Sequence, residues 1–304
     1  MNIYFCGSIR GARQDMEIYQ KIAKKLQNYG QVLSHDDISE KGVEAVPGGD
    51  EAVYDREMEW LAQSDVIVAE VTQPSFGVGY EIGQAMALKK RILCLFRPSS
   101  GKVLSAMIQR AKGKLGSSIF QWQWTQLKMY WATATFGVPL VHLPGVLLIA
   151  HLGFGLEERR RGTCIRGGRQ DVKIYQKIVK KLQDYGKVLT EHVSHDDISE
   201  KGEEAVPGGD EAIYDRDMAW LAQSDVVVAE VTQPSFGVGY EIGQAMAMKK
   251  RILCLFRPSS GKVLSAMIRG AEGKFGQSVF QVRDYEEEKV EGILESYFGE
   301  QNKN

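Results

Sequence analysis

Apolar and polar residues follow two patterns along the chain, one typical of buried strands and the other of amphipathic helices. The runs IYFCGSI (3–9), DVIVAEV (65–71) and RILCLF (91–96) are nearly continuous and apolar, as the strands of a buried parallel sheet require. Between them, residues 14–30 and 48–64 show the spacing of helices, and a further helix is predicted after the loop TQPS. This alternation predicts an α/β fold with a doubly wound parallel sheet of the Rossmann or flavodoxin type.

The same pattern occurs twice. The segment LAQSDVIVAEVTQPSFGVGYEIGQAMALKKRILCLFRPSSGKVLSAMI begins at Leu61 and recurs from Leu221 with only two changes. Two copies of so long a unit predict two domains rather than a solenoid. We place the first copy at residues 1–118, without its last strand and helix, and the second at 162–304, without its first strand.

The segment that joins the two copies, residues 119–161, is apolar and aromatic, whereas a domain linker is ordinarily polar. From Tyr130 to Gly155 it is long enough to span a membrane, but two prolines and two histidines in that stretch argue against a span. We interpret the segment as an irregular connector. The alternative is an erroneous gene model in which non-coding sequence was translated.

Composition narrows the classes of function. A net charge of −1 provides no basic field for polymeric nucleic acid, whereas a few local donors can still bind a small anion. The four cysteines include no CxxC pair and no Cys/His cluster with zinc spacing, so we expect no metal. Buried thiols and a first segment without an apolar leader predict a reducing compartment. We expect the chain to be cytoplasmic and nuclear and to have no membrane partner.

Two loops that follow predicted strands carry groups suited to a phosphate. The first offers backbone N–H groups, the Ser8 hydroxyl and the Arg10 guanidinium. In the second, Ser75 can cap the next helix, and Gly77 and Gly79 permit close approach of the backbone to a ligand. Neither loop is a Walker or dinucleotide-binding motif, so the first could equally be an ordinary strand-to-helix turn.

A pair of carboxyl groups is predicted near these loops. Glu81 lies about one turn into the helix, where the helix dipole favours its charge, although a solvated carboxylate is the alternative. The preceding helix contributes Glu57 in the first copy and Asp217 in the second, each close to a tryptophan whose apolar surface favours a protonated acid. One charged and one protonated carboxyl group form the pair that glycosidic cleavage uses.

Taken together, IYFCGSIRG, the D/E-M-x-W-L helix, VAEVTQPSFGVGYEIGQA and RILCLFRPSSGKVLSAMI resemble the 2'-deoxynucleoside 5'-phosphate N-hydrolases of the nucleoside 2-deoxyribosyltransferase superfamily. The resemblance covers nearly all of both copies. It implies hydrolysis of 2'-deoxynucleoside 5'-monophosphates to a free base and 2-deoxyribose 5-phosphate, without a metal or organic cofactor. It also implies a glycosyl ester on a glutamate, here Glu81 or Glu241. The other implied roles are the acid that protonates the base (Asp217, or Glu57 in the first copy), a tyrosine that hydrogen-bonds the nucleophile (Tyr4), and phosphate ligands (Ser8, Arg10, Ser75, Gly77, Arg166, Ser235, Gly237).

The resemblance further implies a homodimer in which a serine of VLSAMI reaches the phosphate bound by the neighbouring subunit. That serine is Ser105 in the first copy and Ser265 in the second. Because both copies retain this segment, one hypothesis is a pseudo-dimer within the chain. Ser265 would then complete the site of Glu81, and Ser105 the site of Glu241.

Neither copy contains the full set of these residues. The first has Glu57 where the family has aspartate, and the second has Arg160 in place of Tyr4 and Cys164 in place of Ser8. Two alternatives to a hydrolase therefore stay open. One is a deoxyribosyltransferase, in which a second base replaces water, and the other is a catalytically impaired duplicate that binds nucleotides.

Overall fold

A computed structural model describes residues 1–8, 15–34, 46–102, 104–114, 119–123, 146–150, 165–190, 209–276 and 279–301. The first copy contains β1 (Asn2–Cys6), α1 (Met16–Leu26), β2 (Gln31–Leu33), α2 (Gly49–Gln63), β3 (Val66–Glu70), α3 (Phe76–Ala87), β4 (Arg91–Phe96), α4 (Ala106–Lys114) and β5 (Ile119–Gln123). The second contains β6 (Val146–Ala150), α5 (Ile165–Leu182), α6 (Gly209–Gln223), β7 (Val226–Glu230), α7 (Phe236–Ala247), β8 (Arg251–Phe256), α8 (Ala266–Arg269), β9 (Phe280–Asp284) and α9 (Val290–Gln301).

Each copy is built around its own parallel sheet. The strand order is β2-β1-β3-β4-β5 in the first copy and β6-β7-β8-β9 in the second. The central strands β3 and β7 are buried at every residue, which explains their uninterrupted apolar sequences. The predicted α/β fold with two tandem parallel sheets is therefore confirmed.

The structure differs from the sequence prediction at two places in the joining segment. Strand β5 pairs with β4 as β9 pairs with β8, so residues 119–123 supply the final strand that the first copy was predicted to lack. Strand β6 pairs with β7 as β1 pairs with β3, so residues 146–150 supply the first strand of the second copy. Without β5 and β6, the strands β4 and β7 would each present an edge of unpaired backbone N–H and C=O groups. The rest of the joining segment lies outside the described residues. The prediction that the first copy lacks its last helix is therefore not tested.

The two copies pack against each other through α3 and α7. A Cβ atom on Gly79 would lie 2.3 Å from the Phe236 carbonyl oxygen, so the two helix backbones meet directly at glycines. Gln84 Nε2 donates to the Gly243 carbonyl at 2.7 Å, and Gln244 Nε2 donates to the Gly83 carbonyl at the same distance. The hydrophobic core of each copy includes side chains from the other, so one apolar interior is shared. No helix in the described ranges is long and apolar enough to cross a membrane.

Candidate active site

Helix α3 carries the central carboxyl group of the first copy. Ser75 caps this helix, and its hydroxyl oxygen accepts a hydrogen bond from the Val78 N–H at 3.3 Å. The side chain of Glu81 follows in the second turn and is only 3% exposed. Its Oε2 atom is buried without a hydrogen-bond partner, so one lone-pair-bearing oxygen is available to a reacting atom.

Three side chains surround the Glu81 carboxyl group. Glu57 of α2 and both Tyr4 and Cys6 of β1 lie within hydrogen-bonding range of it. Tyr4 and Cys6 are two residues apart on one strand, so both side chains point to the same face of the sheet. Glu57 is one methylene longer than the aspartate that the family resemblance implies at this position. Its carboxyl group nevertheless lies within hydrogen-bonding range of Glu81, the predicted nucleophile.

Electrostatics in this cluster favour one proton shared between two carboxyl groups. Burial, followed by the neighbouring Glu57, raises the pKa of Glu81 well above the usual range for a glutamate. Two carboxyl groups this close do not readily ionise together, so the pair keeps a proton where isolated carboxyl groups lose theirs. Burial and the charge of Glu81 also raise the pKa of Tyr4 and of Cys6, so both groups stay protonated and can donate hydrogen bonds.

Two aromatic side chains pack together beside this cluster. The ring centroid of Tyr4 lies 6.1 Å from that of Trp60, and the Arg56 guanidinium lies over the Trp60 ring at 5.0 Å from its centroid. Trp60 therefore lies beside Tyr4 and also contacts a charged side chain, and its predicted effect on Glu57 stays a prediction.

The predicted phosphate ligands of the first copy converge with one residue from the second. A Cβ atom on Gly77 would lie 3.2 Å from the Ser265 hydroxyl oxygen and 3.7 Å from the Ser75 hydroxyl oxygen. Ser8 is 3% exposed and follows β1 at the carboxyl edge of the sheet. Arg10 lies outside the described residues.

The second copy repeats the capped start of the nucleophile helix. Ser235 caps α7 by accepting from the Val238 N–H at 3.3 Å, and Glu241 is 8% exposed. Asp217 forms an ion pair, with 2.9 Å between its Oδ1 and the Nε of Arg216. The atoms nearest to a Cβ on Gly237 come from Met107, at 3.4 Å, and Ser235, at 3.7 Å.

The position equivalent to Tyr4 is not the one that the sequence suggested. Tyr4 pairs with Ile67, and in the second sheet Leu147 pairs with the matching residue Val227. Leu147 therefore takes the register position that the alignment of the two copies predicts for Arg160. Arg160, Cys164 and the side chain of Arg166 lie outside the described residues, whereas Ser105 is half-buried at the start of α4.

Sequence reasoning missed two features. Cys6 was not assigned a role, although strand alternation places it on the same face as Tyr4. Buried acidic clusters at the carboxyl ends of β3 and β7 were also missed. At β7, Glu230 accepts hydrogen bonds from the Thr232 hydroxyl and from Tyr285 Oη, the latter at 3.1 Å. At β3, Arg97 forms an ion pair with Asp15 at 2.7 Å and lies beside Glu70. Burial raises the pKa of Glu230 to about 7. Within the described ranges, no group of three His, Cys, Asp or Glu side chains is placed to hold a metal ion.

Comparison with known proteins gives the same picture of a repeated domain. The family model described as nucleoside 2-deoxyribosyltransferase matches residues 3–112 and again residues 164–272. A 5-hydroxymethyl-dUMP N-hydrolase of Esox lucius is 71% identical over 134 residues, which are 44% of this chain and 90% of that protein. The proteins of the same name from Danio rerio and Homo sapiens are 69% identical (46% of this chain, 94% of that protein) and 60% identical (44% and 75%). Each match has about the length of one copy.

Proposed function

Because this chain belongs to the nucleoside 2-deoxyribosyltransferase family and carries that domain twice, we propose that it hydrolyses the N-glycosidic bond of 2'-deoxynucleoside 5'-monophosphates. The products are a free base and 2-deoxyribose 5-phosphate. The observation that carries this proposal is the buried carboxyl pair of Glu81 and Glu57, in which one oxygen of Glu81 has no hydrogen-bond partner.

The chemistry takes two steps with a glutamate as nucleophile. Oε2 of Glu81 attacks C1' of the deoxyribose while the bond from C1' to the base nitrogen breaks, and the proton that the two carboxyl groups share passes through Glu57 to the leaving base. Water then attacks C1' of the glycosyl ester, and Glu57, now ionised, takes a proton from that water. The ester bond breaks, the Glu81 carboxylate is restored, and one water molecule has been consumed.

Hydrogen bonds from Tyr4 and Cys6 make this sequence feasible inside a buried site. A carboxylate removed from water loses its hydration, and these two donors replace part of it. Both groups keep their protons because burial raises the pKa of each. They therefore stabilise the charge of Glu81 before the attack and again when the ester is cleaved.

The 5'-phosphate is expected to bind at the start of α3. Backbone N–H groups near Gly77 and the hydroxyl groups of Ser75 and Ser265 lie together there, and a helix N-terminus favours an anion. Because Ser265 comes from the second copy, the proposal includes a pseudo-dimer within one chain. Binding energy from the phosphate can then be used to hold C1' over Glu81.

Incubation of the purified chain with 5-hydroxymethyl-dUMP and with each common deoxynucleoside monophosphate tests this function. We expect equal amounts of free base and 2-deoxyribose 5-phosphate without any added base, measured by chromatography. Products that form only when an acceptor base is added would indicate a transferase and contradict hydrolysis. Absence of product under both conditions would contradict both activities.

A further inference from the structure

We propose that Arg97 is a positioning residue for recognition of the 5'-phosphate, and that it acts by holding together the two loops predicted to bind this group. The first loop joins β1 to α1 and includes Ser8. The second joins β3 to α3 and includes Ser75. The inference rests on the proposed function and adds to it a residue that shapes the phosphate site without being one of its ligands.

The Arg97 side chain binds one residue at each loop. Arg97 directly follows β4, at the carboxyl edge of the first sheet. Its Nη2 atom lies 2.7 Å from Asp15 Oδ2, and its Nε atom lies 3.5 Å from Glu70 Oε1. Asp15 is the last residue before α1, and Glu70 is the last residue of β3. One guanidinium group therefore connects the end of the first loop to the start of the second.

Two further hydrogen bonds tie the second loop to the same ion pair. The Arg97 N–H donates to Thr72 Oγ1 at 3.0 Å. Gln73 Nε2 donates to Asp15 Oδ2 at 3.1 Å. Both loop residues come shortly before Ser75, which caps α3. Breaking the ion pair would therefore loosen the segment that presents the Ser75 hydroxyl group and the start of α3.

Asp15 stands where an aspartate ordinarily caps a helix. It occupies the position before α1, from which its carboxylate could accept a hydrogen bond from an N–H of the first turn. Its side chain makes no such cap hydrogen bond, although the residue is only 6% exposed. The carboxylate binds Arg97 and Gln73 instead. The link between the loops thus takes the place of the helix cap.

Helix α1 connects Asp15 to the backbone beside Ser8. A Cβ atom on Gly7 would lie 3.1 Å from Tyr19 Cζ, so the ring of this buried tyrosine packs against the chain one residue before Ser8. Tyr19 lies in the first turns of α1, and the ion pair of Asp15 holds the start of that helix. We therefore expect a change at the ion pair to reach both phosphate loops.

The same pairing recurs in the second copy. Arg257 forms an ion pair with Asp171, and its N–H donates to Thr232 Oγ1 at 3.0 Å. These residues match Arg97 and its partners in the repeated sequence. Helix α5 begins at Ile165, well before Asp171, so the pairing is kept although the backbone around the aspartate differs. The ion pair is therefore a property of the domain rather than of one loop conformation.

A positioning role and a direct contact with the phosphate require opposite effects of Asp15. If Arg97 acts through the ion pair, Asp15→Asn should weaken recognition as Arg97→Gln does, because both changes break the same link. If Arg97 bound the phosphate itself, removing the neighbouring anion would leave more positive charge for the ligand and strengthen binding. One substitution thus separates the two roles by the sign of its effect.

Steady-state kinetics of Arg97→Gln, Asp15→Asn and the double variant in the full chain test the proposal. We expect each single variant to lower kcat/KM for 5-hydroxymethyl-dUMP at least about 10-fold, since a displacement of about 1 Å can cost about 100-fold. The corresponding deoxynucleoside, which has no phosphate, should react at an unchanged rate. The double variant should lose little more than either single variant, because the two residues share one interaction.

Two further variants control for charge and for stability. Arg97→Lys keeps the charge but lacks the planar fork that binds two carboxylates, so it should restore only part of the loss. Arg91→Gln should leave kcat/KM unchanged, because Arg91 lies at the opposite end of β4, where its Nε donates to the Asp65 carbonyl at 3.3 Å. Thermal unfolding checks that each variant is folded, and Asp15→Asn carries the test if Arg97→Gln does not fold.

Hydrogen exchange gives a readout that does not depend on catalysis. We expect the backbone amides of Thr72 and Ser75 to exchange faster in Arg97→Gln and in Asp15→Asn than in the wild type. Unchanged exchange, equal losses on nucleotide and nucleoside, or a higher kcat/KM in Asp15→Asn would overturn the positioning role while leaving the hydrolase intact. A wild-type chain that releases no base would instead refute the proposed function, and exchange would then decide whether Arg97 holds the loops.

Discussion

The carboxyl groups of Glu57 and Glu81 lie within hydrogen-bonding range of each other, and the two side chains are only 2% and 3% exposed. One comes from α2 and the other from α3, so the packing of these helices sets their separation. In a buried pair of this kind, one group can keep a proton while the other acts as the anion. That division matches an acid and a nucleophile on either side of a glycosidic bond.

Removing the proton of this pair should slow departure of the base. We expect Glu57→Gln to lower kcat by roughly 100- to 10,000-fold, the usual contribution of a general acid, because glutamine cannot protonate the leaving nitrogen. Steady-state assays across pH measure the effect. The loss should be smaller for a substrate whose base leaves readily without protonation.

Glu59→Gln is the control for this prediction, since Glu59 lies two residues further along α2 with an exposed side chain. If both variants lose the same fraction of activity, or if Glu57→Gln loses equally on every leaving base, Glu57 is not the acid.

The sequence was sufficient to predict the residues that one copy brings together by itself. Glu81 and Ser75 share one helix start, and Tyr4 ends up beside them because parallel strands present their carboxyl ends at one edge. The fold class followed from the same alternation of strands and helices. The repeated segments by themselves predict the second domain.

Pairing between distant segments could not be predicted in the same way. Residues 119–123 and 146–150 are short apolar runs, and such a run is a strand only when a neighbouring strand accepts its hydrogen bonds. Register decides which residue replaces Tyr4, and here it selects Leu147 rather than Arg160. The network around Glu230 was equally hidden, because its members lie far apart in sequence and meet only after folding.

Glu230 should make the stability of the fold depend on pH. Its pKa is raised from 4.5 to about 7, so the folded state binds a proton more tightly than the unfolded state does. The stability from this proton is complete below pH 4.5 and is lost as the pH rises through 7, at a cost of roughly 3 kcal/mol. Glu230→Gln, which cannot ionise, should therefore gain stability relative to the wild type between pH 5 and pH 8.

Thermal unfolding at several pH values measures this gain. Glutamine changes the hydrogen bonds to Thr232 and Tyr285, so a constant offset is expected, and the slope with pH is the informative quantity. Glu295→Gln, on the exposed face of α9, should leave the slope unchanged. Parallel curves for Glu230→Gln and the wild type would show that Glu230 does not titrate in this window.

The contact between α3 and α7 should tolerate no added side chain. A Cβ atom on Gly83 would lie 2.6 Å from the Tyr240 carbonyl oxygen and 3.1 Å from Gly243 Cα, so the backbones must move apart. We expect Gly83→Ala to destabilise the chain by about 1–3 kcal/mol, as overpacking ordinarily does, and to lower activity by displacing Ser265. Denaturant unfolding and activity assays measure the two effects.

Gly292→Ala provides the control for that substitution. Gly292 lies in α9, and a Cβ there meets no atom within 4 Å, so the change should be neutral or stabilise by up to about 1 kcal/mol. If Gly83→Ala behaves like Gly292→Ala, the close approach of α3 and α7 is not present in solution.

Recognition of the phosphate across the two copies should depend on Ser265. This residue precedes α8 but makes no side-chain cap hydrogen bond, so its hydroxyl group is not needed to start that helix. We expect Ser265→Ala to lower kcat/KM for a deoxynucleoside monophosphate about 10- to 100-fold, the value of a hydrogen bond to a charged group. The corresponding deoxynucleoside, which has no phosphate, should react at an unchanged rate. Ser105→Ala, the equivalent change in the first copy, should have the smaller effect, because the Ser105 hydroxyl group is not among the three atoms nearest to a Cβ on Gly237. A Ser265→Ala variant that loses activity equally on the nucleotide and the nucleoside would show that the hydroxyl group does not contact the phosphate.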